Sequence, residues 1–354
     1  MKKNLILGLV VVAAIAALVI WGRDRMHFDF GVFRAQLAMA NWGKIGIAVA
    51  CIYSGYVFRS FRWSLFVRHS KKVPPFTLLG TQVIGFTAVA LIGRVADPVR
   101  PYLVSRKTGL PLASQVAVYV VERMFDLGAM ALIFSTVLLT TREALPHPEL
   151  LSKVAKGGLI GTLALAAFTI AVRVAGGAVA AFMEKTLGVV SHKLAQSVGE
   201  KIRTFRVGLN TLRSFTDFGA AAALSIGMWL VITVAYLETT RAFVASPQLA
   251  AMTLPRCMVL MASSMVASSF QLPIIGWFTQ TGLIAAAMTS FFGVGTEPAT
   301  ACSATLLFVT FLSIIPVGLI WAQFEHISLR KITSESEHAE EKLAAEAPAG
   351  QGPA

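Results

Sequence analysis

The sequence predicts an all-α polytopic membrane protein with about six full transmembrane helices plus two re-entrant hairpins, and three observations point there. The first is composition: of 354 residues, 56% are hydrophobic and 14% charged, with mean hydropathy +0.70, whereas soluble domains carry about 25% charged residues. The second is charge placement. Lysine and arginine gather at the ends of long apolar runs, so the net charge of +13 fits contact with anionic lipid rather than nucleic acid. The third is that two apolar stretches are short and interrupted by glycine, proline and polar residues. Such backbone survives at membrane depth only when buried in protein.

Taken in order, MKKNLILGLVVVAAIAALVIWG is a first span, retained because its apolar character runs on through Ile20 and Trp21 with no cleavage region. The mixed, aromatic stretch to Trp42 suits an interfacial loop, which makes 1–42 one unit. A second span begins near Gly43 and ends in YSGYVFRSFRWSLFVRHSKK, whose Arg59, Arg62, Arg68, Lys71 and Lys72 mark a cytoplasmic end. Arg59 and Arg62 lie one turn apart beside Tyr56 and Trp63, as snorkelling side chains or as a headgroup contact. The run PFTLLGTQVIGFTAVALIG, with Gly80, Thr81, Gln82, Gly85 and Thr87, has basic residues on both flanks. It must therefore enter the membrane and return, the first re-entrant hairpin.

Arg94, Asp97, Arg100, Arg106 and Lys107 follow in a segment broken by Pro98, Pro101, Gly109 and Pro111, which cannot form one continuous helix. Its guanidinium groups suit a phosphate, although Arg106 and Lys107 also fit an ordinary cytoplasmic loop. The third span, from about Ala113 to Thr140, carries Gln115, Tyr119, Glu122 and Asp126 at spacings that share one helical face. Arg123 can pair with Asp126 along that helix. One ionised group at the bilayer centre costs roughly 2.5 kcal/mol or more, so this stripe should face the bundle interior as a functional site.

A fourth span, GLIGTLALAAFTIAV, returns to Arg173, and the basic stretch 176–217 is read as cytoplasmic. There Leu194, Val198, Ile202, Phe205, Leu209 and Leu212 share a helical face, which fits a helix on an anionic membrane surface or a linker helix on the bundle. The fifth span holds Glu238 and Arg241 near its outer end. Beyond it, serines, Gln271, Pro273, Gly276, Thr279, Gln280 and Gly282 interrupt two short apolar pieces, the second re-entrant hairpin. A sixth span, about 300–323, contains Pro316, and the acidic, alanine-rich tail 326–354 is expected to be disordered. Residues 43–325 then form one transmembrane domain with halves 43–141 and 217–325 of opposite direction, an inverted-topology repeat whose broken segments meet near mid-membrane.

Cys51, Cys257 and Cys302 sit singly in apolar runs as packing residues; no metal-ligand spacing and no GxxxxGK[ST] phosphate loop is present. No cofactor is expected.

The run LIGRVADPVRPYLVSRKTGLPLASQVAVYVVERMFDL resembles the lysylphosphatidylglycerol synthase transmembrane-domain family, also called flippase-like membrane proteins. Arg94, Asp97, Arg100, Lys107, Gly109, Glu122, Arg123 and Asp126 fall on that family's pattern, and FRSFRWSLF and FRVGLNTLRS are similar to it as well. Ile92 and Ala96 depart from the usual proline and glycine. In the second half LPIIGWFTQTG replaces a Pro-Gly-Gly-like motif, with Thr279 or Gln280 in place of its acid. No stretch of these 354 residues resembles the cytosolic aminoacyltransferase domain of the bifunctional synthases, so lysyl transfer is not expected of them.

The resemblance implies a multi-pass protein of a bacterial-type inner membrane, with both termini cytoplasmic, that moves an anionic-headgroup lipid between leaflets. Arg59, Arg62, Arg94, Asp97 and Arg100 would bind the headgroup, while Gln115, Tyr119, Glu122, Arg123, Asp126, Gln271 and Gln280 would line the pathway. Other readings are a lipid-modifying transferase using Glu122 or Asp126 as base, and a non-catalytic subunit that binds phospholipid beside a separate lipid-synthesising enzyme.

Overall fold

A computed structural model describes residues 28–346, apart from 142, 144, 146, 270–274 and most of 189–213. Among these residues the regular elements are all helical. The expected first span, Gln271 and the last eight residues of the tail lie outside them.

Asp29 caps α1 (Phe30–Ala38) by accepting from the Gly31 and Val32 N–H groups at 2.7 and 3.1 Å. The expected interfacial loop thus contains a helix, which a carboxylate N-cap helps to start. Asn41 caps α2 (Trp42–Val67), which leaves α1 at a 75° bend. Next come α3 (Pro75–Ile92), a 3₁₀ turn at Arg94–Ala96, α4 (Val99–Thr108) and α5 (Leu112–Thr140). Gly93 and Gly109 adopt positive φ of 90° and 71° at the two breaks. The proline-broken basic segment is therefore a tight corner followed by a short helix.

The fourth span ends near where the sequence suggested: α6 runs over Pro148–Gly188 but consists of two helices meeting at a kink, where Ala175 is non-helical (φ −133°, ψ 36°), so residues 176–188 form a separate helical arm beyond Arg173. In the partly described segment after α6, Ile202 and Leu212 are buried against the cluster around Trp63 and Phe66, while Leu194, Phe205 and Leu209 lie outside the described residues.

The chain continues through α7 (Phe215–Arg241), α8 (Pro247–Ala250), α9 (Leu254–Ser269), α10 (Ile275–Phe292), α11 (Thr296–Leu307), a π-helical segment (Phe308–Leu312), α12 (Ile314–Phe324) and α13 (Leu329–Glu346). Ser214 and Asp217 form a reciprocal capping box at the start of α7. Among the described residues four helical stretches are long and apolar enough to cross a membrane: Pro75–Ile92, Pro148–Leu187, Phe215–Arg241 and Thr296–Phe324. The bent pair α1–α2 makes a possible fifth. The 29-residue α5 is long enough, yet it carries Glu122, Arg123 and Asp126.

Ion pairs identify two ends of the bundle. At one, Lys71 Nζ donates to the Thr108 carbonyl at 2.7 Å, Arg68 bonds Asp217, and Lys107 pairs with Glu325 at 2.6 Å. At the other, Lys44 pairs with Glu238 at 2.7 Å, Arg256 with Glu143 at 2.6 Å, and the His147 and Phe291 rings lie 6.3 Å apart. The pairs Lys44–Glu238 and Arg68–Asp217 make α2 and α7 antiparallel neighbours. The start of α3 and the end of α4 share the first end.

Between the ends, α3 meets the second set of helices. Trp277 Nε1 donates to the Ala90 carbonyl at 3.2 Å, and Thr87 Oγ1 to the Ile314 carbonyl at 3.2 Å. A Cβ on Gly318 would fall 1.8 Å from Thr87 Oγ1, so only glycine permits that approach. The π segment precedes Pro316, whose ring crowds the carbonyl four residues back and offers no N–H, and the helix widens there so that Ser313 N–H bonds Phe308 O at 2.8 Å. Tyr53 Oη donates to the nearby Ser313 carbonyl at 2.9 Å.

The expected disorder of the tail is corrected over Leu329–Glu346, which is helical. Its alanine, glutamate and lysine are good helix formers, and Ile332 buries itself in the cluster with Val99, Leu103 and Ile84. Glu335 accepts from Tyr102 Oη at 3.1 Å and from Arg106 at 3.4 Å, anchoring α13 on α4.

Candidate functional site

Helical spacing places Glu122 and Asp126 on the inward face of α5, where they are 1% and 4% exposed. α2 supplies Arg59 and Arg62, again one turn apart and facing inward, at 8% and 1% exposed. Arg62 joins the two acids: Nη2 donates to Glu122 Oε1 at 2.8 Å and Nη1 to Asp126 Oδ1 at 2.7 Å, with a further bond to Ser225 Oγ at 2.6 Å. Arg59 reaches the same carboxylates through Nη1 alone, at 3.0 and 3.2 Å. Its Nε and Nη2 are not committed to them.

Arg100 enters from α4, fully buried, and bonds Glu122 through Nη2. Its guanidinium lies 4.5 Å from the centre of the Phe86 ring and 5.3 Å from those of Trp63 and Tyr119. Cation–π attraction from three rings offsets part of its lost hydration. Nε and Nη1 of Arg100 are buried with no hydrogen-bond partner. Gly85 makes room for this side chain, because a Cβ there would sit 2.2 Å from Arg100 Cγ.

Arg123 occupies the margin of the core. Its Nη1 is 3.8 Å from Asp126 Oδ2, and its guanidinium stacks on Tyr119 at 4.9 Å. The pairing along α5 expected from sequence is thus the weakest contact to Asp126, because arginines from another helix approach more closely. Four guanidinium groups face Glu122 and Asp126, with Asp97 also within electrostatic reach of Arg123, so the core still holds a surplus of positive charge. Gln115 accepts from Trp63 Nε1 at 3.1 Å and orients the ring that faces Arg100. Arg94 is exposed on the 3₁₀ turn, and Asp97 follows it half-buried.

Beside the core lies a cavity of about 180 Å³ whose wall includes Arg59 and Phe86 from one half of the chain and Trp229, Tyr236, Ser264, Gln280 and Thr310 from the other. Sequence reasoning named Arg59 and Gln280 as site residues and Ser264 as an interruption of the second hairpin, but missed Trp229, Tyr236 and Ser225. Their polar atoms sit within apolar runs, and only the three-dimensional meeting of helices distinguishes them from ordinary core residues.

Membrane-length helices enclosing a charge-surplus arginine–carboxylate core define a polytopic membrane protein with a polar site inside its bundle. The sequence model for the lysylphosphatidylglycerol synthase TM region matches residues 5–319, and the chain belongs to that family. The family relates it to lipid synthesis or flipping. Neither the curated proteins nor the solved structures compared with the chain gave a match.

Proposed function

We propose that this protein translocates a lipid with an anionic headgroup between the leaflets of a bacterial-type plasma membrane, its arginine core holding the phosphate. The observation that carries this reading is the juxtaposition of a buried, positively charged core with a cavity formed between the two halves of the chain, with Arg59 belonging to both. Buried cations are costly at membrane depth, and an excess over the available carboxylates is balanced when an anion binds. Bidentate guanidinium donors match phosphate oxygens.

The topology we infer is six full spans, the first lying before the described residues, with α3–α4 and α9–α10 as re-entrant hairpins. Support comes from the Lys71–Thr108 bond, which joins the two feet of the first hairpin, and from the feet of α9 and α10, which lie near Glu143 and His147 at the other end. Hairpins dipping from opposite ends are the expected geometry of an inverted repeat. The basic end with Lys71 and Lys107 is cytoplasmic by the positive-inside rule.

Proteoliposomes carrying acyl-chain-labelled phosphatidylglycerol test the proposal. Arg59→Gln leaves Arg62 and Arg100 to pair both acids, so the protein should fold while leaflet exchange slows by about tenfold or more, the worth of a charged hydrogen bond. Exchange by wild type no faster than in protein-free vesicles would reject the transport reading.

A further inference from the structure

A second cavity, of about 140 Å³, lies outside the arginine core between α5, α6 and α7, with Val121 and Phe125, Leu165 and Thr169, and Phe218 and Ile226 in its wall. The hydroxyls of its two threonines are committed to their own helix: Thr162 Oγ1 donates to the Gly158 carbonyl at 2.8 Å and Thr169 Oγ1 to the Leu165 carbonyl at 2.7 Å. The remaining lining side chains are apolar, so the cavity has nothing with which to hold water. A smaller hollow of about 60 Å³, lined by Ile170, Arg173, Val174, Phe215 and Phe218, follows it along α6 and α7. Phe218 belongs to both, which makes them one groove.

Three observations bear on what fills it. At the lip, Val174 and Phe215 are 74% and 79% exposed, on helices long and apolar enough to cross a membrane, so the groove faces bilayer hydrocarbon. Its depth matches one leaflet: Thr162 lies 11 residues before Arg173, a rise of about 16 Å along α6, and each leaflet supplies about 15 Å of hydrocarbon. Its shallow end is basic. The Arg173 guanidinium lies 5.8 Å from the centre of the Phe215 ring, and the Arg206 side chain packs on Gly176, where a Cβ would fall 2.5 Å from Arg206 Cδ. Phe215 opens α7 two residues before Asp217, the partner of Arg68, so this is the end that also carries Lys71. An acyl chain gains from apolar contact along the groove, and guanidinium groups at its end suit a phosphate.

We propose that the groove between α5, α6 and α7 binds one acyl chain of an anionic phospholipid from the leaflet at that end, as a resident lipid separate from the arginine core, with Arg173 and Arg206 at its phosphate. The assignment of the leaflet to the cytoplasmic side rests on the topology proposed above; the site does not depend on transport. The chain lies against Val121 and Phe125, the neighbours of Glu122 and Asp126, and against Ile226, beside the Ser225 that bonds Arg62. An occupied groove therefore supports α5 and α7 where they hold the core.

Photo-crosslinking in proteoliposomes of the full-length protein tests this. The probe is phosphatidic acid with a diazirine midway along one acyl chain, in phosphatidylcholine bilayers, with adducts mapped to residues. They should concentrate on the groove wall rather than on the exposed Ile160 and Ile320. Unlabelled phosphatidic acid should compete about tenfold better than phosphatidylcholine, the worth of a charged hydrogen bond. Arg173→Gln should shrink that advantage and keep the adducts. Gly128→Leu and Ala166→Trp, which fill the groove, should each lower them by about tenfold, the worth of about two buried methylenes. Arg59→Gln should leave them unchanged. Monodisperse elution in detergent shows that each variant folds.

Adducts spread evenly over lipid-facing residues, or undiminished in both filled variants, would overturn the site. No adduct in the groove would overturn it in favour of closure by the protein's own chain. Palmitate competing as well as phosphatidic acid would overturn the phospholipid as the source of the chain. Loss of the adducts in Arg59→Gln would place the probe in the arginine core and overturn a separate site. None of these outcomes is read from leaflet exchange, so the transport reading can fail without this one.

Discussion

Arg62 and Arg123 both contact Asp126, but at 2.7 and 3.8 Å and with side chains 1% and 37% exposed, so their removal should differ sharply. Arg62→Ala removes the closest partner of Asp126 and leaves the two buried carboxylates to the longer Arg59 bonds and to Arg100, and should cost about 3 kcal/mol, read as a lower melting temperature in detergent and reduced abundance. Arg123→Ala, at the margin, should cost no more than about 1 kcal/mol. Equal destabilisation by the two would contradict the network described. Gly85→Ala should cost about 1–3 kcal/mol by driving Arg100 from its aromatic setting. At this scale the sequence revealed the stripe on α5, because four-and-three spacing of polar residues in an apolar helix is conspicuous. It did not reveal the partners: Arg59 and Arg62 lie 63 and 60 residues before Glu122, and one-dimensional spacing has nothing to say about that separation.

The long helices were largely visible as apolar runs, α2, α5, α7 and α11–α12 among them, and of these α7 and α11–α12 are apolar and long enough to cross a membrane by themselves. The failures have a common cause. α1 and α13 are helices whose composition is mixed or charged, so their burial depends on neighbours rather than on lipid. α13 is the sharpest case: its acidic surface reads as solvated, while Ile332 and Glu335 fix it to α4. Deleting residues 329–354 should quicken amide exchange across 99–108, where α4 loses both the Glu335 bonds and the Ile332 contact. Unchanged exchange there would show that α13 does not brace the helix carrying Arg100.

For the whole molecule, the proposed topology sets the two ends defined by Lys107–Glu325 and Lys44–Glu238 on opposite sides of the membrane. In a chain freed of Cys51, Cys257 and Cys302, a cysteine at Glu238 should react with an impermeant thiol reagent in intact cells. One at Lys107 should react only after permeabilisation. Labelling of both from outside would break the proposed topology. The inverted repeat was inferred from charge and hydropathy alone. What the structure adds is contact between the two short broken segments, as from Trp277 to Ala90. The character of the cavity they enclose could not be read earlier, because it is assembled from residues of seven elements.

The division of the core between α2 and α5 also bears on how the chain is made. Arg59 and Arg62 leave the ribosome before the carboxylates that neutralise them, and each helix alone carries charges that resist release into lipid at about 2.5–3.5 kcal/mol apiece. At about 5–20 residues per second, the wait for α5 is on the order of 3–12 s. During that interval α2 needs shelter at the insertion machinery. Biogenesis should therefore proceed by release of α2 and α5 as a pair, their charges already joined before either meets the bilayer.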